Sequence, residues 1–113
     1  MTIRQKTRRL PPIHPGEMLR ELFLEPLGMS VNALALKIGV PRARLNDIVN
    51  EKRGISADTA LRLRRYFGIS TQFWLNLQNR YDLEIAERKI GPALKAIKPR
   101  RVKKPAGVEA KAA

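Results

Sequence analysis

Three side chains between Pro41 and Asn50 have the chemistry to read the edge of a base pair. Arg42 carries a planar guanidinium that matches guanine O6 and N7 together, and Asn46 a carboxamide that matches adenine N6 and N7. Asp47 carries a carboxylate that accepts from cytosine N4; its second reading is a surface charge paired with Arg44. These residues share a side only if the segment is helical. Leu45, Ile48 and Val49 follow the helical period and claim the opposite side, which leaves Arg42, Ala43, Asn46, Asp47 and Asn50 facing outward and Arg44 at the flank. Arg44, Asn50, Lys52 and Arg53 suit phosphate contacts, as do Ser30 and Asn32 one helix earlier.

Such a helix needs a partner to set its angle. Ser30 is an N-cap for a short helix that buries Leu34, Ala35 and Ile38, and Gly39 ends it. Two helices joined by so short a turn cross steeply only where the facing residue is small and the reversal is free of a side chain, which Ala35 and Gly39 provide. Leu34, Ile38, Val40, Leu45 and Ile48 then fill the angle, the apolar signature of a helix-turn-helix; a plain helical hairpin is the competing reading. In that motif the second helix enters the major groove and the first crosses the backbone.

Three further helices surround the pair, so the sequence reads as an all-α, five-helix domain. The first begins near Pro15 with Met18, Leu19, Leu22 and Phe23 on its apolar face and ends before Gly28. Ser56 caps Ala57 to Phe67, with Ala60, Leu61, Leu63 and Phe67 inward. Ser70 opens the last helix, where Phe73, Trp74, Leu77, Tyr81 and Ile85 form a stripe reaching about Lys89. The domain therefore spans residues 13–89, between a flexible basic arm (1–12) and a basic tail (90–113) that Pro92, Pro99 and Pro105 mark as mostly disordered when unbound.

The net charge of +13 lies mostly in these extensions. Arg4, Lys6, Arg8 and Arg9 face no acid in the arm, the tail from Arg88 holds nine cations and one acid, and residues 11–87 hold ten cations against nine acids. Basic arms bind any polyanion, so charge alone does not name the partner. The 113 residues contain no cysteine, which excludes disulfides, thiolate nucleophiles and cysteine zinc sites. The single histidine, His14, stands at a helix entry, and Glu17, Glu21 and Glu25 recur along one helix without a second acidic cluster. No glycine-rich phosphate loop and no nucleophile–base pair occurs, so neither an enzyme, a metal site nor a cofactor is expected. No apolar run is long enough for a membrane span, and no secretory signal opens the chain, which places it in the cytoplasm.

The blocks IHPGEMLRELFLEPLGMS, LALKIGVPRARLNDIVNEKRGIS and ADTALRLRRYFGISTQFWLNLQNRYDL resemble those of the HigA-type antitoxins, helix-turn-helix proteins of the lambda-repressor-like superfamily. The resemblance covers about Ile13 to Ala86. It implies a homodimer that binds a palindromic operator in double-stranded DNA, represses its own operon and neutralises a HigB-type mRNA-cleaving toxin. It also maps the DNA-reading helix onto Pro41 to Asn50 and a basic loop onto Lys52 and Arg53. A regulator without a toxin, and a basic architectural protein whose arms alone bind nucleic acid, are the competing readings. A palindrome requires two motifs about 34 Å apart. Phe73, Trp74, Leu77 and Tyr81 of the last helix are the expected dimer contact, being more apolar surface than one small core can bury; closure of the monomer core by Phe73 and Trp74 is the competing reading, which leaves Leu77 and Tyr81 as the stronger interface candidates.

Overall fold

The computed structural model describes residues 11–102, and all regular structure among them is helical. Helix α1 is continuous from Pro15 to Leu27 but changes pitch: Pro15–Leu19 is α-helical, Arg20–Leu24 π-helical and Glu25–Leu27 α-helical again. Helices α2 (Val31–Ile38), α3 (Arg42–Val49), α4 (Ala57–Phe67) and α5 (Thr71–Lys95) follow. Three of the starts share a local cause. The Ser30, Ser56 and Ser70 hydroxyls accept from Ala33, Thr59 and Phe73 N–H at 3.0, 3.3 and 3.1 Å, satisfying first-turn donors that otherwise lack partners. Gly39 ends α2 at φ 72°, a left-handed conformation that a β-carbon disfavours.

The core joins all five helices. Leu19 and Leu24 from α1 meet Leu34, Ala35 and Ile38 from α2, Leu45, Ile48 and Val49 from α3, Ala60 and Leu63 from α4, and Trp74 from α5. The motif's expected apolar set, including Val40, is buried as its spacing predicts. Elsewhere the structure corrects the sequence reading at four places. In α1, Leu22 is 58% exposed while Leu24 is buried, because the π turn adds a residue to the period and rotates the apolar face by one position. In α4, Leu61 points outward, since Ala60 and Leu63 already occupy the side that meets the core.

Trp74, expected at the dimer contact, is instead fully buried and so is not a surface residue available to a second subunit. Its ring lies 5.4 Å from Phe23 and 5.2 Å from Phe73, so the largest side chain of the stripe closes the monomer core. The last helix, expected to stop near Lys89, passes Pro92 and ends at Lys95, so residues 90–95 are helical rather than part of the tail. Proline removes one ladder bond, but the strong helix formers Ala93, Leu94, Lys95 and Ala96 follow it. The arm at 1–10 and the tail beyond 102 lie outside the described residues.

Helix α1 approaches the back of α3 with no side chain between them. Gly16 is buried, and a β-carbon there would overlap the Ile48 carbonyl. Gly16→Ala is expected to lower stability by about 2 kcal/mol, because the displaced atoms are backbone and cannot repack. Urea unfolding compared with the wild type checks this; a loss within error would show that α1 shifts freely.

Candidate nucleic-acid interface

Helix α3 has only eight residues, too few to hold a direction by itself, and three contacts fix it. At its C-terminal end the Arg20 guanidinium donates to the Val49 carbonyl at 2.6 Å and lies 3.5 Å from the Glu51 carboxylate. Glu51 is left-handed at φ 62°, a conformation that costs a residue with a side chain on the order of 1–2 kcal/mol. This conformation closes the helix: Glu51 N–H donates to the Ile48 carbonyl at 2.9 Å and Lys52 N–H to that of Asp47 at 2.7 Å. At the motif's turn, Arg62 from α4 donates to the Ile38 and Gly39 carbonyls at 2.9 and 3.3 Å, its own direction held by Asp58 at 2.6 Å. Beyond α3, Gln78 of α5 accepts from Ile55 N–H at 2.7 Å, which ties down the loop carrying Lys52 and Arg53.

On this frame Arg42, Ala43, Asn46 and Asn50 are exposed, and Arg44 and Asp47 are half-buried. Lys52 and Arg53 stand exposed in the following loop, and Asn32 at the first turn of α2. Ser30 spends its acceptor on the cap of α2 but keeps a hydroxyl proton to donate. Arg42, Arg44, Lys52 and Arg53 make no ion pair among the described residues, and the pairing of Asp47 with Arg44 is not formed. The outer side of α3 thus exposes a guanidinium and a carboxamide, Arg42 and Asn46, flanked by cations that make no ion pair. Arg20, Arg62 and Gln78, which position it, were not singled out from the sequence; only the Asp58–Arg62 spacing of four gave a signal, and it reads as an ordinary surface pair.

His14 belongs to the same support. It is 2% exposed and caps α1, its Nδ1 accepting from Gly16 N–H at 2.8 Å, which fixes the neutral tautomer with the proton on Nε2. Its ring meets Tyr81 edge-on at 4.7 Å, so Tyr81 is half-buried inside the chain rather than offered whole to a second subunit. Burial pushes the imidazole below its ordinary pKa of 6.5, against the opposing pull of Glu51, Asp82 and Glu17.

Residues 19–74 match the helix-turn-helix family model. Over 88 residues the chain is 54% identical to virulence-associated protein I of Dichelobacter nodosus, covering 78% of this chain and 82% of the relative. Over 95 residues it is 36% identical to antitoxin HigA-1 of Vibrio cholerae, covering 84% and 89%. Among solved structures it is similar to the Pseudomonas aeruginosa antitoxin HigA with the higBA promoter, with a TM-score of 0.76, 50% identity, and coverage of 78% of this chain and 97% of the other.

The chain belongs to the HigA family of helix-turn-helix antitoxins. HigA proteins of this kind are DNA-binding regulators and not enzymes. No helix among the described residues of this HigA chain is long and apolar enough to cross a membrane.

The His14 arrangement sets a pH dependence. A base whose folded pKa is depressed favours folding while neutral, so its contribution is full above about pH 6.5 and is lost as pH falls below that value. Melting temperature should fall as pH drops below about 6.5 in the wild type, and His14→Gln should flatten that part of the profile. An equally steep fall in the variant would assign the dependence to other groups.

Proposed function

We propose that this HigA-family protein binds operator DNA as a homodimer, represses the operon that encodes it, and neutralises a HigB-type mRNA-cleaving toxin in the cytoplasm. The observation that carries the DNA reading is the exposed outer side of α3, held from behind by Gly16, Arg20 and Arg62, with its cations unpaired. Arg42 reads guanine, Asn46 reads adenine, and Asp47 and Ala43 complete the base-facing surface. Ser30, Asn32, Arg44, Asn50, Lys52 and Arg53 hold phosphates on either side. Likeness to a solved antitoxin with its promoter supports the operator, and likeness to a named antitoxin supports the toxin.

The dimer contact moves along α5 from where the stripe first suggested it. Phe73 and Leu77 pack partly on the monomer core and Tyr81 on His14. Leu83, Ile90 and Leu94 are exposed, and at 100° per residue they lie on the side of the helix opposite Trp74 and Tyr81. Leu83 and Ile90 are seven residues apart and Leu94 four further on, the spacing with which one helix packs along another, so a second copy is the partner of this stripe.

Arg42→Ala or Asn46→Ala should cost about 1–3 kcal/mol on the operator and little on random duplex. Competition at fixed salt measures both; equal losses on the two DNAs from Arg42→Ala would make that residue a phosphate contact. Ile90→Glu with Leu94→Glu should give a folded monomer that binds half-sites without cooperativity. Light scattering that finds the variant still dimeric would remove the distal stripe from the interface. Co-purification with the product of an adjacent toxin-like reading frame, and rescue of growth when both are expressed, tests the antitoxin role.

A further inference from the structure

Positive charge is concentrated at the end of α5, away from the reading helix. From residue 88 to 102 the chain holds Arg88, Lys89, Lys95, Lys98, Arg100 and Arg101 and no acid; Glu87 is the last carboxylate before them. Lys89, Lys95, Lys98, Arg100 and Arg101 are exposed. On the helix itself Lys89 and Lys95 project from the side away from the Leu83–Ile90–Leu94 stripe, so they stay available when that stripe is covered. Like charges at this density repel one another unless a polyanion neutralises them.

A second basic segment precedes α1 in the sequence. His14 enters α1 against Tyr81, and only Ile13, Pro12 and Pro11 separate it from the segment with Arg4, Lys6, Arg8 and Arg9. Residues 11–87, with ten cations against nine acids, contribute almost none of the excess.

We infer that the distal half of α5 and the basic chain continuing from it form a second DNA-binding element, which holds the phosphate backbone of duplex DNA flanking the operator without reading its sequence. The inference rests on the DNA-binding reading above. Residues 88–102 include no aromatic side chain, which argues against single-stranded nucleic acid, where bases stack on aromatic rings. They also include no amide or carboxylate side chain that could select a base edge. What remains is a row of flexible cations, the chemistry of counterion release from a duplex.

The test uses the full chain and the variant Lys89→Gln/Lys95→Gln/Lys98→Gln/Arg100→Gln/Arg101→Gln, with fluorescence anisotropy on operator and random duplexes across a salt series. All five positions are exposed, and circular dichroism checks that the variant melts as the wild type does. On random duplex the slope of log affinity against log salt should become shallower by roughly 2–4 units, at about 0.9 for each phosphate no longer neutralised, with affinity falling at least about tenfold. The preference for operator over random DNA should hold or rise. An unchanged slope and affinity overturns the inference, as does a loss confined to the operator, or a loss of binding to phosphatidylserine vesicles with duplex binding intact. A wild type that shows no operator preference, beside a variant that still loses random-duplex affinity, would sink the reading of α3 and leave this element standing.

Discussion

The contact between Gly16 and the Ile48 carbonyl is the constraint on which the binding surface depends. Because no side chain intervenes, α1 lies directly on the backbone of α3, and from there Arg20 reaches the Val49 carbonyl at 2.6 Å. A helix of eight residues has little intrinsic stability in water, so its direction comes from what is packed behind it. The backbone-on-backbone approach also explains why His14 is buried. To bring Gly16 so close, the first turn of α1 must itself be fixed, and the imidazole does this by accepting the Gly16 N–H while its ring rests on Tyr81.

Strain and support meet at Glu51. A left-handed residue with a side chain is unfavourable alone, yet here it lets two backbone donors close the C-terminus of α3 and turns the chain sharply into the Lys52–Arg53 loop. Arg20 bridges both features, donating to Val49 and lying beside the Glu51 carboxylate. The C-terminal end of α3 and the start of the loop that carries Lys52 and Arg53 are thus held by one arginine. Arg62 makes the matching contact at the turn before α3, so the helix is fixed at both ends by guanidinium groups donating to backbone carbonyls.

The helix-turn-helix was legible in the sequence because each of its signals is local. Ser30 caps, Gly39 adopts a positive φ, and Leu34, Ile38, Leu45 and Ile48 repeat at helical spacing. The π turn in α1 was not legible, since nothing local marks the change in hydrogen bonding that turns Leu24 in and Leu22 out. Trp74 was misplaced for a different reason: periodicity identifies an apolar face but not whether a core or a partner covers it. Pro92 reads as a stop only if one missing bond outweighs the helix formers that follow, and it does not. The outward side of α3 could be inferred by elimination, whereas Arg20, Arg62 and Gln78 act across 23 to 29 residues of sequence and left no local trace.

If α3 reads bases in the major groove from a direction fixed by α1, then blocking single guanines must block binding. Methylation of guanine N7 removes the acceptor that Arg42 would use, so methylation interference on the DNA upstream of the reading frame examines that reading base by base. Interference at major-groove guanines in two patches about one helical turn, or roughly 34 Å, apart is predicted, with the signal abolished at the affected guanines in Arg42→Ala. Interference spread evenly along the duplex, or a pattern unchanged in Arg42→Ala, would contradict it.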